Sequence, residues 1–139
     1  MAKTIDDVRA VFAADKYLGM TGVVLDEIGE DSCRCSMEVA PIHMNAGGTA
    51  QGGAVYTLAD SAFAIAANLG HIFRDEDLIT VSQSASISYL RAAASGKLSA
   101  EAHKVGGGKK MSVYRMTVTD EEGRVVATMT GNGYAVPRK

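Results

Sequence analysis

A single long apolar segment, AVYTLADSAFAIAANL at residues 54–69, is followed only by stretches that alternate or are β-branched. One helix with strands after it leaves few ways to fold. The segment is shorter than the roughly 20 apolar residues that span a bilayer, and Asp60 interrupts it, so it reads as a buried helix that Gly70 stops. Residues 78–90, 97–105, 109–120 and 124–136 read as strands, punctuated by Ser95-Gly96, Gly106-Gly107-Gly108 and Glu121-Glu122-Gly123.

Upstream, Thr4 and Asp7 with Ile5, Val8, Val11 and Phe12 behind them predict an N-capped amphipathic helix ending near Ala14. Residues 21–28 and 32–39 predict a hairpin about a turn at 29–31, and residues 41–53 a loop. Strands joined by tight turns pair antiparallel. The fold class is therefore α+β: a short N-terminal helix and a long central helix against one antiparallel sheet, as a single domain over residues 1–139.

With 139 residues, 47% of them hydrophobic, the chain has the material for one core and not for two. Its 14 basic and 16 acidic residues nearly balance, which gives no one-signed field for nucleic acid or an anionic membrane. No nucleic-acid or membrane partner is expected. The first residues lack the apolar run and cleavage site of a secretory signal, so the expected location is the cytoplasm. Cys33 and Cys35 fall on one face of a strand about 7 Å apart, near or beyond the reach of an unstrained disulfide. With no histidine close by to complete a zinc site, they read as packed thiols in a reducing compartment, and no metal is expected.

Two local departures carry the chemistry. Between Val39 and Phe73 the only formally charged residue is Asp60. In an apolar helix such a carboxylate is either a structural hydrogen-bond acceptor or a functional group, because an ionised Asp costs several kcal/mol there unless donors meet it. The second departure is HMNAGGTAQGG at residues 43–53, which runs straight into the helix. Glycines before a helix leave its first N–H groups uncovered at the positive end of the dipole, where an anion or a developing oxyanion is stabilised; the alternative is a flexible connecting loop.

Gly52 and Asp60 are eight residues apart, about 12 Å along a helix, so one carbonyl cannot touch both. If the two cooperate, they come from different copies of the chain with antiparallel helices across a two-fold axis. Of the histidines, His71 reads as a cap at the helix C-terminus, His43 as a residue able to line a pocket, and His103 as a strand residue without a partner in sequence. The methionines 44, 111, 116 and 129 read as core or pocket wall.

The run Asn45-Ala46-Gly47-Gly48-Thr49-Ala50-Gln51-Gly52-Gly53 followed by Leu58-Ala59-Asp60 resembles the signature of PaaI-type hotdog-fold acyl-CoA thioesterases, N-x-x-G-x-x-H-G-G then L-x-D. SISYLR at residues 86–91, GKLSAEA at 96–102 and GRVVA at 123–127 are similar to that family too. The resemblance implies a hotdog fold, a long helix wrapped by a curved antiparallel sheet, assembled as homodimers that often pair into homotetramers. It implies hydrolysis of an aromatic or medium-chain acyl-CoA such as phenylacetyl-CoA. In that scheme Asp60 is nucleophile or general base, the Gly52 N–H is the oxyanion donor, and Asn45 and Ser82 attend the attacking water. Gln51, Gly53, Tyr89, Arg91, Gly108, Lys109 and Lys110 would contact the substrate, whose coenzyme A is no cofactor of the protein. Gln51 stands where the family usually has His, and it cannot act as a base near neutral pH. A non-catalytic acyl-CoA binder and, further off, an enoyl-CoA hydratase are the alternatives.

Overall fold

The computed structural model describes residues 3–139. Helix α1, Ile5–Phe12, starts where Asp7 turns its carboxylate back to accept the Thr4 N–H at 2.6 Å, and it buries Val8 completely. It stops at Phe12, two residues before the expected end. The reason is a second helix that the hydrophobic spacing did not reveal: α2, Lys16–Thr21, opens with Asp15 accepting from the Leu18 N–H at 3.0 Å and closes on Gly22 at φ 81°. Thr21 therefore ends a helix and does not begin a strand.

Strands β1, Val24–Gly29, and β2, Ser32–Glu38, form the expected hairpin, with a bulge between Leu25 and Glu27. Both thiols are free and buried, and Cys33 donates to the Ala62 carbonyl at 3.1 Å. The hydrogen bond with Cys33, and then burial, push the Cys35 thiol far above its ordinary range, so it stays a packed neutral group.

Helix α3, Gly52–Phe73, begins two residues before the expected start and runs through Gly70. Gly70 does not stop it because its carbonyl still accepts from the Arg74 N–H at 3.0 Å, and the Arg74 guanidinium lies over the space where a Cβ would sit. His71 is correspondingly no terminal cap. It is buried in the last turn and joins Glu76 Oε1 through Nδ1 and Thr80 Oγ1 through Nε2, each at 2.9 Å. The side chain of Asn68 binds both the N–H and the carbonyl of Thr80. These contacts anchor the helix end to the strand that follows.

The remaining strands are β3, Leu78–Tyr89; β4, Lys97–Gly107; β5, Met111–Thr119; and β6, Val125–Pro137. All pairs are antiparallel, in the order β1-β2-β4-β5-β6-β3. The sheet curves round α3, so that Leu58, Phe63, Ile65 and Leu69 meet Met37, Leu98, Met116, Val118 and Met129 in one core. The Phe63 ring lies 5.6 Å from that of Tyr114 and is so close to β6 that a Cβ at Gly131 would come within 2.8 Å of it. Burying a side chain like Phe63 contributes about 1.5–3 kcal/mol, and the glycine makes the fit possible. Among the described residues no helix is long and apolar enough to cross a membrane.

Candidate active site

The loop before α3 is built around Asn45. Its Oδ1 accepts the N–H groups of Gly47 and Thr49 at 2.9 and 3.0 Å, and its Nδ2 donates to Thr49 Oγ1 at 2.9 Å. Asn45 thus shapes this loop with the atoms that the resemblance reserved for water or substrate. A short 3₁₀ turn, Pro41–His43, precedes it. His43 is buried there, with Nδ1 accepting the Ala40 N–H, so Nε2 carries the proton donated to the Thr21 carbonyl at 2.6 Å. That histidine ties α2 to the loop and does not line a pocket.

The loop delivers the chain into α3 with Gln51 as an N-cap whose side chain makes no capping bond. Ala54 and Val55 donate to the Gln51 carbonyl, whereas the N–H groups of Gly52 and Gly53 meet no acceptor among the described residues. Two adjacent donors at the positive end of a 22-residue helix are the arrangement that favours a developing negative charge.

Two turns further along, Asp60 faces a cavity of about 440 Å³ that α2 and the end of α1 close off. Gly53, Tyr56, Thr57, Asp60, Ser61 and Ala64 form its α3 wall, and Phe12, Asp15, Tyr17 and Leu18 the opposite one. Sequence spacing placed Asp60 here but missed Tyr56, Thr57 and the whole α2 wall. Tyr56 was accessible in principle, since it stands four residues from both Gly52 and Asp60 on the same helical face. Burial raises the Asp60 carboxyl above its ordinary range. Burial, then the charge of Asp60 and the neighbouring Tyr89, raise the Tyr56 phenol.

No protein donor meets the Asp60 carboxylate among the described residues, and desolvation alone accounts for its shift. Of the two readings open from the sequence, the structural acceptor finds no donor within the chain among the described residues.

The other anticipated residues divide. Tyr89 ends β3 and donates its hydroxyl to the Gly52 carbonyl at 2.9 Å, so its polar atom serves the helix start. Ser82 lies two residues from Thr80 on the same strand face, directly before a bulge, and is exposed. Gly108 and Lys109 belong to the β4–β5 turn, where Lys109 shares a cavity of about 460 Å³ with Arg74 and Lys104, two cations the sequence did not single out. Lys110 stands 6.0 Å over the Tyr134 ring. Arg91 follows Tyr89 at the other end of the sheet: Lys110 adjoins the level of Val81, and Val81 and Tyr89 are separated by eight residues of β3, roughly 26 Å. One protomer does not bring these basic residues together.

Nor does one protomer bring Asp60 to the Gly52 N–H, since both lie on the same continuous helix. The free edge of β3, at the end of the sheet and 12 residues long, is a surface on which a second copy could add.

Residues 47–127 match the model of the thioesterase superfamily. The chain is 32% identical to a putative esterase of Archaeoglobus fulgidus over 127 residues, 91% of this chain and 79% of the relative. It is 25% identical to the acyl-coenzyme A thioesterase PaaI of Escherichia coli over 135 residues, 96% of this chain and 92% of that one. The solved structure of the Escherichia coli PaaI protein from the phenylacetic acid degradation operon superimposes with a TM-score of 0.85, covering 96% of this chain and 94% of the other at 24% identity. The chain belongs to the thioesterase superfamily, as a PaaI-type hotdog-fold thioester hydrolase.

Proposed function

We propose that the protein hydrolyses an acyl-CoA to the free acid and coenzyme A, with Asp60 as the catalytic carboxylate. The observation that carries the reading is the Asp60 side chain: partly desolvated, unmet by protein donors among the described residues and facing a cavity of acyl-group size. Water attacks the thioester carbon while Asp60 takes its proton. The carbonyl oxygen gathers negative charge against the N–H of Gly52, the C–S bond breaks, and the thiolate leaves with the proton that Asp60 held. Direct attack by Asp60, giving an acyl-Asp60 anhydride that water then cleaves, uses the same groups. Either route draws only on this chain's side chains, its helix end and water.

The two groups come from two copies. Pairing along the β3 edge would set two α3 helices antiparallel and place the Asp60 of one copy opposite the Gly52 of the other, giving two sites per homodimer. Ser82 on that edge strand would then stand near the attacking water. The cavity between α2 and α3, with Phe12, Leu18 and Tyr56 on its walls, suits an aryl or medium-length acyl group, phenylacetyl among them. Arg91 from one copy and Lys109 from another would take the coenzyme phosphates. Free, buried thiols fit a reducing cytoplasm.

Thiol release from phenylacetyl-, benzoyl-, hexanoyl- and palmitoyl-CoA, with parent and Asp60→Asn in parallel, tests the assignment. Selective turnover lost in the variant supports it. Turnover that survives the substitution removes Asp60 from the reaction. No turnover of any thioester, alongside a melting temperature raised by CoA esters, would make the protein a binder.

A further inference from the structure

The two uncovered N–H groups of α3 are useful only if they are held still, and beyond the helix's own hydrogen bonds the structure shows a side chain that braces one of them. Tyr89, at the end of β3, donates to the Gly52 carbonyl at 2.9 Å. A peptide unit is planar, so whatever fixes the Gly52 carbonyl also fixes the direction of the Gly53 N–H on the other side of the same bond. The contact is close as well as polar. A Cβ at position 52 would lie 3.1 Å from Cζ of Tyr89 and 3.3 Å from its hydroxyl, so the ring occupies the space that the glycine leaves.

The next peptide is held as well. Thr57 Oγ1 donates its single proton to the Gly53 carbonyl at 2.9 Å, so the Tyr17 hydroxyl 3.2 Å away is the donor to Thr57. One tyrosine reaches the helix start from the sheet, and the other reaches it from α2.

We propose that Tyr89 is a positioning residue for hydrolysis, orienting the Gly53 N–H beside that of Gly52 as a second oxyanion donor. This rests on the thioesterase reading above. It assigns Tyr89 a different task from the substrate contact that the family resemblance implied, because the hydroxyl is spent on the backbone. A group that acts on transition-state charge alone lowers kcat when lost, whereas a substrate contact raises KM.

Tyr89→Phe keeps the ring and removes the hydrogen bond. Steady-state hydrolysis of the best acyl-CoA should show kcat reduced about tenfold with KM within about twofold of the parent, since a misplaced donor costs less than a missing one. The order parameter of the Gly53 N–H vector, from ¹⁵N relaxation, should be lower in the variant than in the parent. Unchanged kcat overturns the proposal, and so does a raised KM at unchanged kcat. If the parent cleaves no thioester, the functional reading fails by itself. The Gly53 amide then decides for Tyr89 separately: a lower order parameter in Tyr89→Phe supports the clamp, and an unaltered one overturns it.

Discussion

Gly52 and Asp60 stand on the same continuous helix, eight residues apart, with Tyr56 between them. The separation is roughly 12 Å, so a thioester carbonyl that touches one is out of reach of the other in the same copy. If both groups serve one carbonyl, they come from two copies of the chain, as proposed above.

Asp60→Asn should fold as the parent does and lose hydrolysis by about 10²-fold or more, the usual range for a catalytic base. It should also unfold at an equal or higher temperature near neutral pH. Burial raises the carboxyl in the folded state, so the folded protein holds the proton more tightly than the unfolded chain does, and stability falls as pH rises through that range. The amide removes this loss. Thermal unfolding at neutral pH checks it, and a lower melting temperature would mean that the carboxylate is bound by donors after all.

The same shift sets the acid limb of activity. A base must be ionised, and desolvation lifts Asp60 above the ordinary carboxylate range of about 4. The logarithm of kcat/KM should therefore fall with decreasing pH from a midpoint displaced upward from that value, and the limb should vanish in the residual activity of Asp60→Asn. A midpoint at or below the ordinary value would contradict the burial assigned to the group.

Asn45→Ala should show its effect first in stability. The side chain satisfies two backbone N–H groups of the loop and binds Thr49, so its removal should cost about 1–3 kcal/mol and lower the melting temperature. Calorimetry of the variant measures this. An unchanged melting temperature with a large loss of kcat would assign Asn45 to the chemistry and not to the loop.

Much of this was legible in the chain. The element order, the single antiparallel sheet and the exceptional position of Asp60 all follow from periodicity, turn residues and the absence of other charges around it. Helix α2 escaped because six residues are too few for a periodic signal, although Asp15 before it and Gly22 after it are ordinary boundary residues. The run of α3 through Gly70 was hidden because a glycine ends a helix only when the backbone turns left-handed, and here a guanidinium four residues later covers it. Tyr17 and Thr57 are 40 residues apart in sequence, and Tyr89 and Gly52 are 37 apart. No local pattern announces contacts of that kind. They arise from the docking of α2 and β3 on α3.

The central claim is that Asp60 and Gly52 of different copies make one site, and complementation tests it most directly. Gly52→Pro removes the N–H at the first helical position, where the backbone after the extended Gln51 at ψ 138° accepts a proline, and its ring also displaces Tyr89 from the space beside Gly52, so that copy loses its whole oxyanion end while keeping Asp60. Asp60→Asn and Gly52→Pro should each be nearly inactive alone. Unfolded together and refolded as a mixture, they should recover about a quarter of parental activity, because half the dimers are mixed and each mixed dimer holds one intact site. A mixture as inactive as its two components would contradict the shared site.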